Sequence, residues 1–213
     1  MYDYLLFDLD GTLTDPAIGI TNSVMYALSK WGIKVGNRSE LFCFIGPPLS
    51  ASFEKYYGFS DKDALLCVEY YREYFRDKGI FENNVYDGIP ELLEQLKNNG
   101  KTLILATSKP ESFAKQILEH FDLAEYFDLV VGASMDETRN KKEDVIRYAL
   151  DIAGISDVKN AVMIGDREQD IIGAKINSLD SRGVLYGYGD LNEHTLAGAT
   201  YIAEEVIDVL KYV

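Results

Sequence analysis

The feature that most constrains the fold is a short apolar run that ends in polar residues, and it occurs three times in 213 residues. The three runs are Tyr4–Phe7 followed by Asp8, Leu103–Ala106 followed by Thr107, and Ala161–Ile164 followed by Gly165-Asp166. Such runs, separated by stretches of helical periodicity, are typical of βαβ units and a parallel sheet. Because ligands bind beyond the carboxyl ends of the strands in such sheets, we expect Asp8, Thr107 and Asp166 to share one edge.

The alternation predicts an α/β fold whose core is a Rossmann-like, doubly wound parallel sheet. A helix that carries Leu92, Leu93 and Leu96 on one face precedes the second strand. Another helix opens at Pro110, a residue suited to a first turn, and runs to about His120. The six candidate strands are Tyr4–Asp8, Thr102–Ala106, Asp128–Val131, Ala161–Ile164, Gly183–Tyr186 and Thr200–Ile202.

Residues 16–84 interrupt this alternation. They contain no convincing strand and predict three or four helices. The first is entered through Asp15-Pro16 and ended by Gly32, and a second runs from about Asp61 to Asp77. The sequence therefore predicts a sheet core of residues 1–15 and 85–213, with a small all-helical domain of residues 16–84 inserted after the first strand.

The first polar segment, Asp8-Leu9-Asp10-Gly11-Thr12, carries two carboxylates and a glycine turn. Carboxylates at i and i+2 on extended backbone project to one side, so Asp8 and Asp10 are predicted to face the same crevice. Like charges that close repel unless a cation lies between them, and oxygen ligands favour a hard ion such as Mg²⁺. Such an aspartate can also be a nucleophile, since carboxylates form aspartyl-phosphates. A polar turn at a strand end is the plainer alternative.

Four motifs, taken in order, resemble those of the haloacid dehalogenase superfamily. They are Asp8-Leu9-Asp10-Gly11-Thr12, then Thr107-Ser108, then Lys141-Lys142, and finally Gly165-Asp166 with Asp170. The resemblance implies a Mg²⁺-dependent phosphatase that hydrolyses a small phosphorylated metabolite through an aspartyl-phosphate. It also implies that the helical insert is a mobile cap, of the class that includes phosphoglycolate phosphatases. Phosphoglycolate and nucleoside 5′-monophosphates are the leading substrate candidates, and the segment Gly183–Gly189 looks like that of members labelled nucleotidases.

The resemblance implies roles for five residues of the first two motifs. Asp8 would attack the phosphorus, while Asp10 would protonate the leaving oxygen and then deprotonate the attacking water. Gly11 would let backbone N–H groups approach the phosphoryl oxygens. Thr107 would hydrogen-bond the phosphoryl group, with Ser108 as a second candidate.

One lysine of the third motif would stabilise the negative charge that develops on the phosphoryl group. The segment Asn140–Asp144 has the pattern of a helix start, where a lysine opposes the helix dipole and is easier to explain if it holds an anion. Lys142 is preferred because the resembling pattern places an acid and two aliphatic residues at the spacing found here. Lys141 stays open as an alternative, because only the register separates the two.

The predicted Mg²⁺ ligands are Asp8, Asp10 and Asp166, the last of them from the fourth motif. Mg²⁺ usually takes only one or two carboxylates beside substrate phosphate. Asp170, one helical turn after Asp166, is therefore expected to orient the lysine or a metal-bound water rather than to bind the ion. The Gly165-Asp166 pair could equally form a helix N-cap.

The amino-acid composition limits the kinds of partner that this protein is expected to bind. With 35 acidic and 21 basic residues the net charge is −14, which argues against nucleic acid or an anionic membrane surface as a partner. No segment approaches the roughly 18 apolar residues of a membrane span, and no leader pattern opens the chain, so a cytoplasmic enzyme is expected. Its two cysteines, Cys43 and Cys67, are expected to be buried thiols. A monomer or a homodimer is compatible with this sequence.

Two other functions stay open from the sequence. A phosphosugar mutase of the same superfamily differs only in the group that accepts the phosphoryl group, a second hydroxyl instead of water. A receiver-type signalling module also combines an acidic cluster, a phosphorylated aspartate, a Thr or Ser and a lysine on a doubly wound sheet. The helical insert of about seventy residues and the D-x-D pattern on the first strand argue against the receiver.

Overall fold

The computed structural model describes residues 2–135 and 138–212. Its internal contacts divide the chain into two compact units. One, called here the sheet unit, comprises the residues up to Asp15 and from Val85 onward, and the other, called the helical unit, comprises Pro16–Asn84. A short pair of strands, β2 (Thr14–Asp15) and β3 (Asn84–Val85), forms a separate two-stranded sheet.

The sheet unit contains one six-stranded parallel sheet in the order β5-β4-β1-β6-β7-β8. The strands are β1 (Tyr4–Phe7), β4 (Thr102–Pro110), β5 (Leu129–Ala133), β6 (Ala161–Gly165), β7 (Asp180–Val184) and β8 (Tyr201–Ala203). The chain moves outward from β1 through β4 and β5, then crosses back to β6 and moves outward on the other side. This reversal opens a crevice at the carboxyl end of β1, where doubly wound sheets bind their ligands. The predicted fold class is confirmed.

The helices of the sheet unit follow the strands as crossovers. They are α4 (Ile89–Asn98), α5 (Glu111–His120), α6 (Lys142–Ile152), α7 (Glu168–Ile176) and α8 (Leu191–Ala197). Leu6, Ile104 and Met163 occupy paired positions on three neighbouring strands, and with Val145 and Ile146 of α6 they belong to one fully buried cluster. Truncating a buried leucine to alanine costs about 2–5 kcal/mol, so this cluster fixes α6 firmly on the sheet.

The helical unit contains α1 (Ala17–Ser29), α2 (Leu49–Tyr57) and α3 (Asp61–Tyr74), with a 3₁₀ helix at Arg38–Phe44 and a π-helical turn at Phe75–Gly79. Aromatic rings fill part of its interior: the centroids of Phe44 and Phe53 lie 5.0 Å apart. A Cβ atom on Gly19 would lie 1.9 Å from the carbonyl oxygen of Gly79, so the absence of a side chain lets α1 approach the π-helical turn closely.

Several sequence expectations need correction. The helix predicted for Asp61–Asp77 ends as an α-helix at Tyr74 and continues as the π-helical turn. The predicted strand Gly183–Tyr186 is observed earlier, at Asp180–Val184, and includes the fully buried Arg182. Cys67 is buried but Cys43 is only half-buried, and both thiols are free. Among the described residues, no helix is long and apolar enough to cross a membrane.

Candidate active site

Three polar side chains reach the carboxyl edge of the sheet from three different strands. Asp8 follows the last residue of β1, and its N–H donates to the carbonyl oxygen of Ile164 on β6 at 2.9 Å. Asp166 directly follows β6, and Thr107 lies where the pairing of β4 with β5 shifts its register. The side chains of Asp8, Thr107 and Asp166 are all buried. The structure thus brings these predicted residues to one edge of the sheet.

Lys142 lies at the centre of the polar contacts. Its Nζ atom is 2.7 Å from Oδ1 of Asp8, 2.8 Å from Oδ1 of Asp170, and donates to the carbonyl oxygen of Ala106 at 3.0 Å. Burial alone would lower the pKa of Lys142, but the charges of Asp170 and Asp8 outweigh it and raise that pKa. Lys141 precedes the helix and is exposed. The structure therefore brings Lys142, rather than its neighbour, to the aspartates.

Three buried carboxylates form the acidic part of the site. One oxygen from each of Asp8, Asp166 and Asp170 lies within 4.8 Å of the other two. Burial, followed by the charges of Asp170 and Asp8, raises the pKa of Asp166 well above its usual value. Burial likewise raises the pKa of Asp170 to about 6, against the opposing charge of Lys142. Because one lysine cannot neutralise three carboxylates, this set of buried oxygen atoms fits a hard divalent cation.

The carboxylate of Asp10 has a different partner. Its Oδ2 atom is 2.5 Å from Nζ of Lys109, and both residues are buried. The extended backbone assumed for Asp8 and Asp10 ends at Phe7, and the chain then turns through Gly11, whose φ angle is +85°. The charge of Asp8 nevertheless acts on the Asp10 carboxyl group. In the structure it is Asp170, rather than Asp10, whose carboxylate groups with those of Asp8 and Asp166.

Lys109 is a site residue that the sequence analysis missed. It lies two positions after Thr107, in the same strand-end segment, and ion-pairs with a residue 99 positions away. The only available signal was a lysine within a polar run that follows an apolar strand. Burial raises the pKa of the Asp10 carboxyl, and the charge and hydrogen bond of Lys109 oppose that shift.

Thr107 is oriented by its own turn. Its hydroxyl oxygen accepts a hydrogen bond from the N–H of Lys109 at 3.2 Å, which leaves the hydroxyl proton for another acceptor. Ser108 is half-buried beside it. Both positions therefore offer a hydroxyl at the edge that carries the aspartates.

Asp166 is held by residues from separate parts of the chain. The N–H of Tyr188 donates to its Oδ2 atom at 2.8 Å, and the hydroxyl of Thr12 lies 3.4 Å from its Oδ1 atom. A Cβ atom on Gly11 would lie only 2.0 Å from Oδ2 of Asp166. The glycine predicted for an approach to the phosphoryl group thus also makes room for this carboxylate.

A second group of contacts, which the sequence did not reveal, fixes the start of α7. The N–H of Arg167 donates to Oδ2 of Asp170 at 3.1 Å. The carboxylate of Glu193 accepts from Nε of Arg167 at 2.9 Å and from the N–H of Glu168 at 2.7 Å. The segment Asp190–Glu193 has the spacing of a capping box, which indicates a helix start but gives no sign of this long-range contact.

Comparison with known proteins agrees with the resemblance read from the motifs. The sequence pattern of haloacid dehalogenase-like hydrolases matches residues 5–184. The chain is 48% identical over 192 residues to a 5′-nucleotidase of Pseudomonas aeruginosa, covering 90% of this chain and 86% of that protein. It is 31% identical over 188 residues to a phosphoglycolate phosphatase of Aquifex aeolicus, covering 88% and 87% of the two chains.

Two further proteins are also similar. The tyrosine-protein kinase PtkA of Mycobacterium tuberculosis is 37% identical over 187 residues, which cover 87% of this chain but only 62% of that protein. Among solved structures, a predicted phosphatase from Clostridium acetobutylicum is 55% identical, with a TM-score of 0.97 and coverage of 99% and 97%. These findings confirm the predicted superfamily: the chain belongs to the haloacid dehalogenase-like hydrolases.

Proposed function

We propose that this protein is a Mg²⁺-dependent phosphatase that hydrolyses a small phosphorylated metabolite through an aspartyl-phosphate on Asp8. The observation that carries the proposal is the position of Lys142, which contacts both Asp8 and Asp170 beside a buried cluster of three carboxylates. Mg²⁺ would be held by Asp8 and Asp166, with Asp170 close by, and when bound it would supply positive charge against the substrate phosphate.

The residues of the chain divide the chemistry between them. In the first step Asp8 attacks the phosphorus, the bond to the ester oxygen breaks, and Asp10 gives its proton to that oxygen. In the second step a water molecule attacks the phosphorus of the aspartyl-phosphate and Asp10 takes a proton from that water. The bond between phosphorus and Asp8 breaks, which releases inorganic phosphate and regenerates the Asp8 carboxylate. Burial raises the pKa of Asp10, while the charge and hydrogen bond of Lys109 oppose that shift, so the carboxyl group is poised between a proton and the lysine.

In this mechanism Lys142 and Thr107 stabilise the charge of the phosphoryl group and orient it. Lys142 stays protonated, because the charges of Asp170 and Asp8 raise its pKa. Its ammonium group then balances the charge on the transferring phosphoryl group, and Thr107 donates its free hydroxyl proton to a phosphoryl oxygen. Asp170, whose Oδ1 atom lies 2.8 Å from Nζ of Lys142, would keep the lysine in place.

We further propose nucleoside 5′-monophosphates as the first substrate class and phosphoglycolate as the second. The greater identity to the relative named a 5′-nucleotidase, 48% against 31% for the phosphoglycolate phosphatase, supports this order. The helical unit, Pro16–Asn84, would select among substrates as a cap. Within this unit, Phe44 packs against Phe53 and Arg72 pairs with Glu69 at 3.2 Å, so neither side chain is proposed as a substrate contact.

The test is a panel of nucleoside 5′-monophosphates, phosphoglycolate and phosphosugars, assayed for phosphate release with Mg²⁺ present. The expected result is multiple turnover on the nucleotides, lost in Asp8→Asn and retained in Lys141→Met, which changes an exposed lysine next to the site. Conversion of one phosphosugar into another without phosphate release would identify a mutase. Phosphate transfer to tyrosine, the activity named in the mycobacterial relative, or a single stable phosphorylation would equally contradict the proposal.

A further inference from the structure

The Gly187-Tyr188-Gly189 segment after β7 encloses Asp166 without belonging to any of the four motifs. A Cβ atom on Gly187 would lie 2.2 Å from the carbonyl oxygen of Gly11 and 2.4 Å from Cβ of Asp166. A Cβ atom on Gly189 would lie 2.0 Å from the carbonyl oxygen of Asp166. Only residues without side chains fit at these two positions, so the backbone of the segment lies directly against Asp166.

The residue between these glycines makes two contacts in different directions. The main-chain N–H of Tyr188 donates to Oδ2 of Asp166 at 2.8 Å. The hydroxyl group of Tyr188 donates to Oδ1 of Asp15, a residue of β2. The same hydroxyl group also forms a side-chain hydrogen bond with Tyr86, which follows β3.

These contacts leave the Tyr188 backbone little freedom to move. A glycine on either side would let the peptide rotate, because glycine has more accessible conformations than any other residue. The bond from the phenol to Asp15 removes that freedom by fixing the far end of the side chain. The direction of the N–H toward Asp166 therefore depends on a hydroxyl at the opposite end of the same residue.

We propose that Tyr188 is a positioning residue for the metal-binding carboxylate of Asp166. Its hydroxyl group anchors the residue on Asp15, and this anchor holds its N–H against Oδ2 of Asp166. The inference rests on the proposed function only in that Asp166 is taken as a Mg²⁺ ligand. Removing a group that orients a metal ligand typically weakens metal affinity by about 10- to 100-fold. Because Tyr188 acts on Asp166 through a single peptide group, we expect a loss of affinity near the lower value.

The test compares two substitutions that each remove one hydroxyl group. Tyr188→Phe deletes the anchor but keeps the ring and the N–H. Tyr186→Phe is the matched control, because the Tyr186 hydroxyl has no hydrogen-bond partner among the described residues and lies two positions away. Mg²⁺ affinity is measured by calorimetry on the metal-free proteins, and phosphatase activity is measured as a function of Mg²⁺ concentration.

We expect Tyr188→Phe to raise the Mg²⁺ dissociation constant about tenfold, and Tyr186→Phe to leave it unchanged. We also expect excess Mg²⁺ to restore kcat in Tyr188→Phe, which a general loss of folding would not allow. An unchanged dissociation constant in Tyr188→Phe, an equal change in Tyr186→Phe, or a kcat that excess Mg²⁺ fails to restore would overturn the inference. A wild-type protein that binds Mg²⁺ but hydrolyses no phosphate ester would contradict the proposed function alone, whereas one that binds no Mg²⁺ would contradict both.

Discussion

Replacing Lys142 with methionine tests the electrostatic organisation of the site, because methionine keeps most of the length of the side chain and removes its charge. The ammonium group contacts Asp8 at 2.7 Å and Asp170 at 2.8 Å, and all three side chains are nearly inaccessible to solvent. Removing one partner of a buried ion pair costs about 3–5 kcal/mol, since the remaining charge is left without compensation. Lys142→Met should therefore lower the free energy of unfolding by about this amount when a chelator is present.

The matched control is Lys141→Met, which makes the same chemical change one residue earlier, at an exposed position. Surface substitutions usually change the free energy of unfolding by less than about 0.5 kcal/mol. Both variants and the wild type would be unfolded with urea and followed by circular dichroism, first with a chelator and then with Mg²⁺. If the free energies of unfolding of the two metal-free variants differed by less than about 1 kcal/mol, the buried pair would contribute no more than an exposed one, contrary to this expectation.

The stabilisation that Mg²⁺ gives to each protein provides a second comparison between the wild type and Lys142→Met. A cation bound to the native state stabilises it by about 2.7 kcal/mol at a concentration 100 times its dissociation constant. Lys142 repels a cation at the carboxylate cluster, so Mg²⁺ should stabilise Lys142→Met at least as much as the wild type. Activity should nevertheless fall by about 10²- to 10³-fold, the usual cost of removing a group that stabilises transition-state charge. Greater stabilisation of the wild type than of Lys142→Met by Mg²⁺ would contradict this account.

Three further predictions follow from the same contacts. Asp8→Asn should abolish phosphate release while circular dichroism shows an unchanged fold, because the amide keeps the shape but loses the nucleophilic charge. Chelation should stop turnover, and Ca²⁺ should restore it poorly, because Ca²⁺ takes more oxygen ligands in looser geometry; full activity after dialysis against a chelator would refute the metal requirement. Gly11→Ala should lower the free energy of unfolding by about 2–4 kcal/mol, because the new side chain strains the backbone and collides with Asp166. Gly100→Ala is the control: Gly100 also has a positive φ angle, +74°, but open space around it, so the cost should be only about 1–2 kcal/mol.

The sequence predicted the sheet, and it predicted which polar residues reach the carboxyl edge of that sheet, because both depend on local patterns. Each central strand is a continuous apolar run, as expected when both faces are covered, and the polar residue that follows it reaches the ligand-binding edge. The preference for Lys142 over Lys141 also came from a local pattern, the spacing between the lysine and the acid and two aliphatic residues that follow it. With α6 starting at Lys142, Val145 and Ile146 lie on its buried face, which turns Lys142 inward and leaves Lys141 exposed.

Contacts between distant segments could not be predicted in this way. The pairing of Asp10 with Lys109 depends on the turn after Phe7, where alternation along a strand no longer determines which side a residue faces. The predicted strand begins after Arg182, whereas in the structure this charged residue lies within the strand and is fully buried, which is rare. In the structure it donates to the carbonyl oxygen of Val209 and lies 5.5 Å from the ring centroid of Tyr201, two contacts with segments outside its own strand.

Residues that belong to motifs and residues that the fold brings in from distant segments have different consequences for the chemistry of the site. Asp8 and Lys142 come from motifs, and in the proposed mechanism their identities determine which reaction is available. Asp166 shows what the rest of the fold adds, because the N–H of Tyr188 and the hydroxyl of Thr12 approach its two oxygen atoms from opposite ends of the chain. A carboxylate held in this way needs little rearrangement when it binds a cation, and such preorganisation strengthens electrostatic stabilisation in a buried site. We therefore expect reaction type to follow the motif residues, and metal affinity to depend also on the segments that surround Asp166.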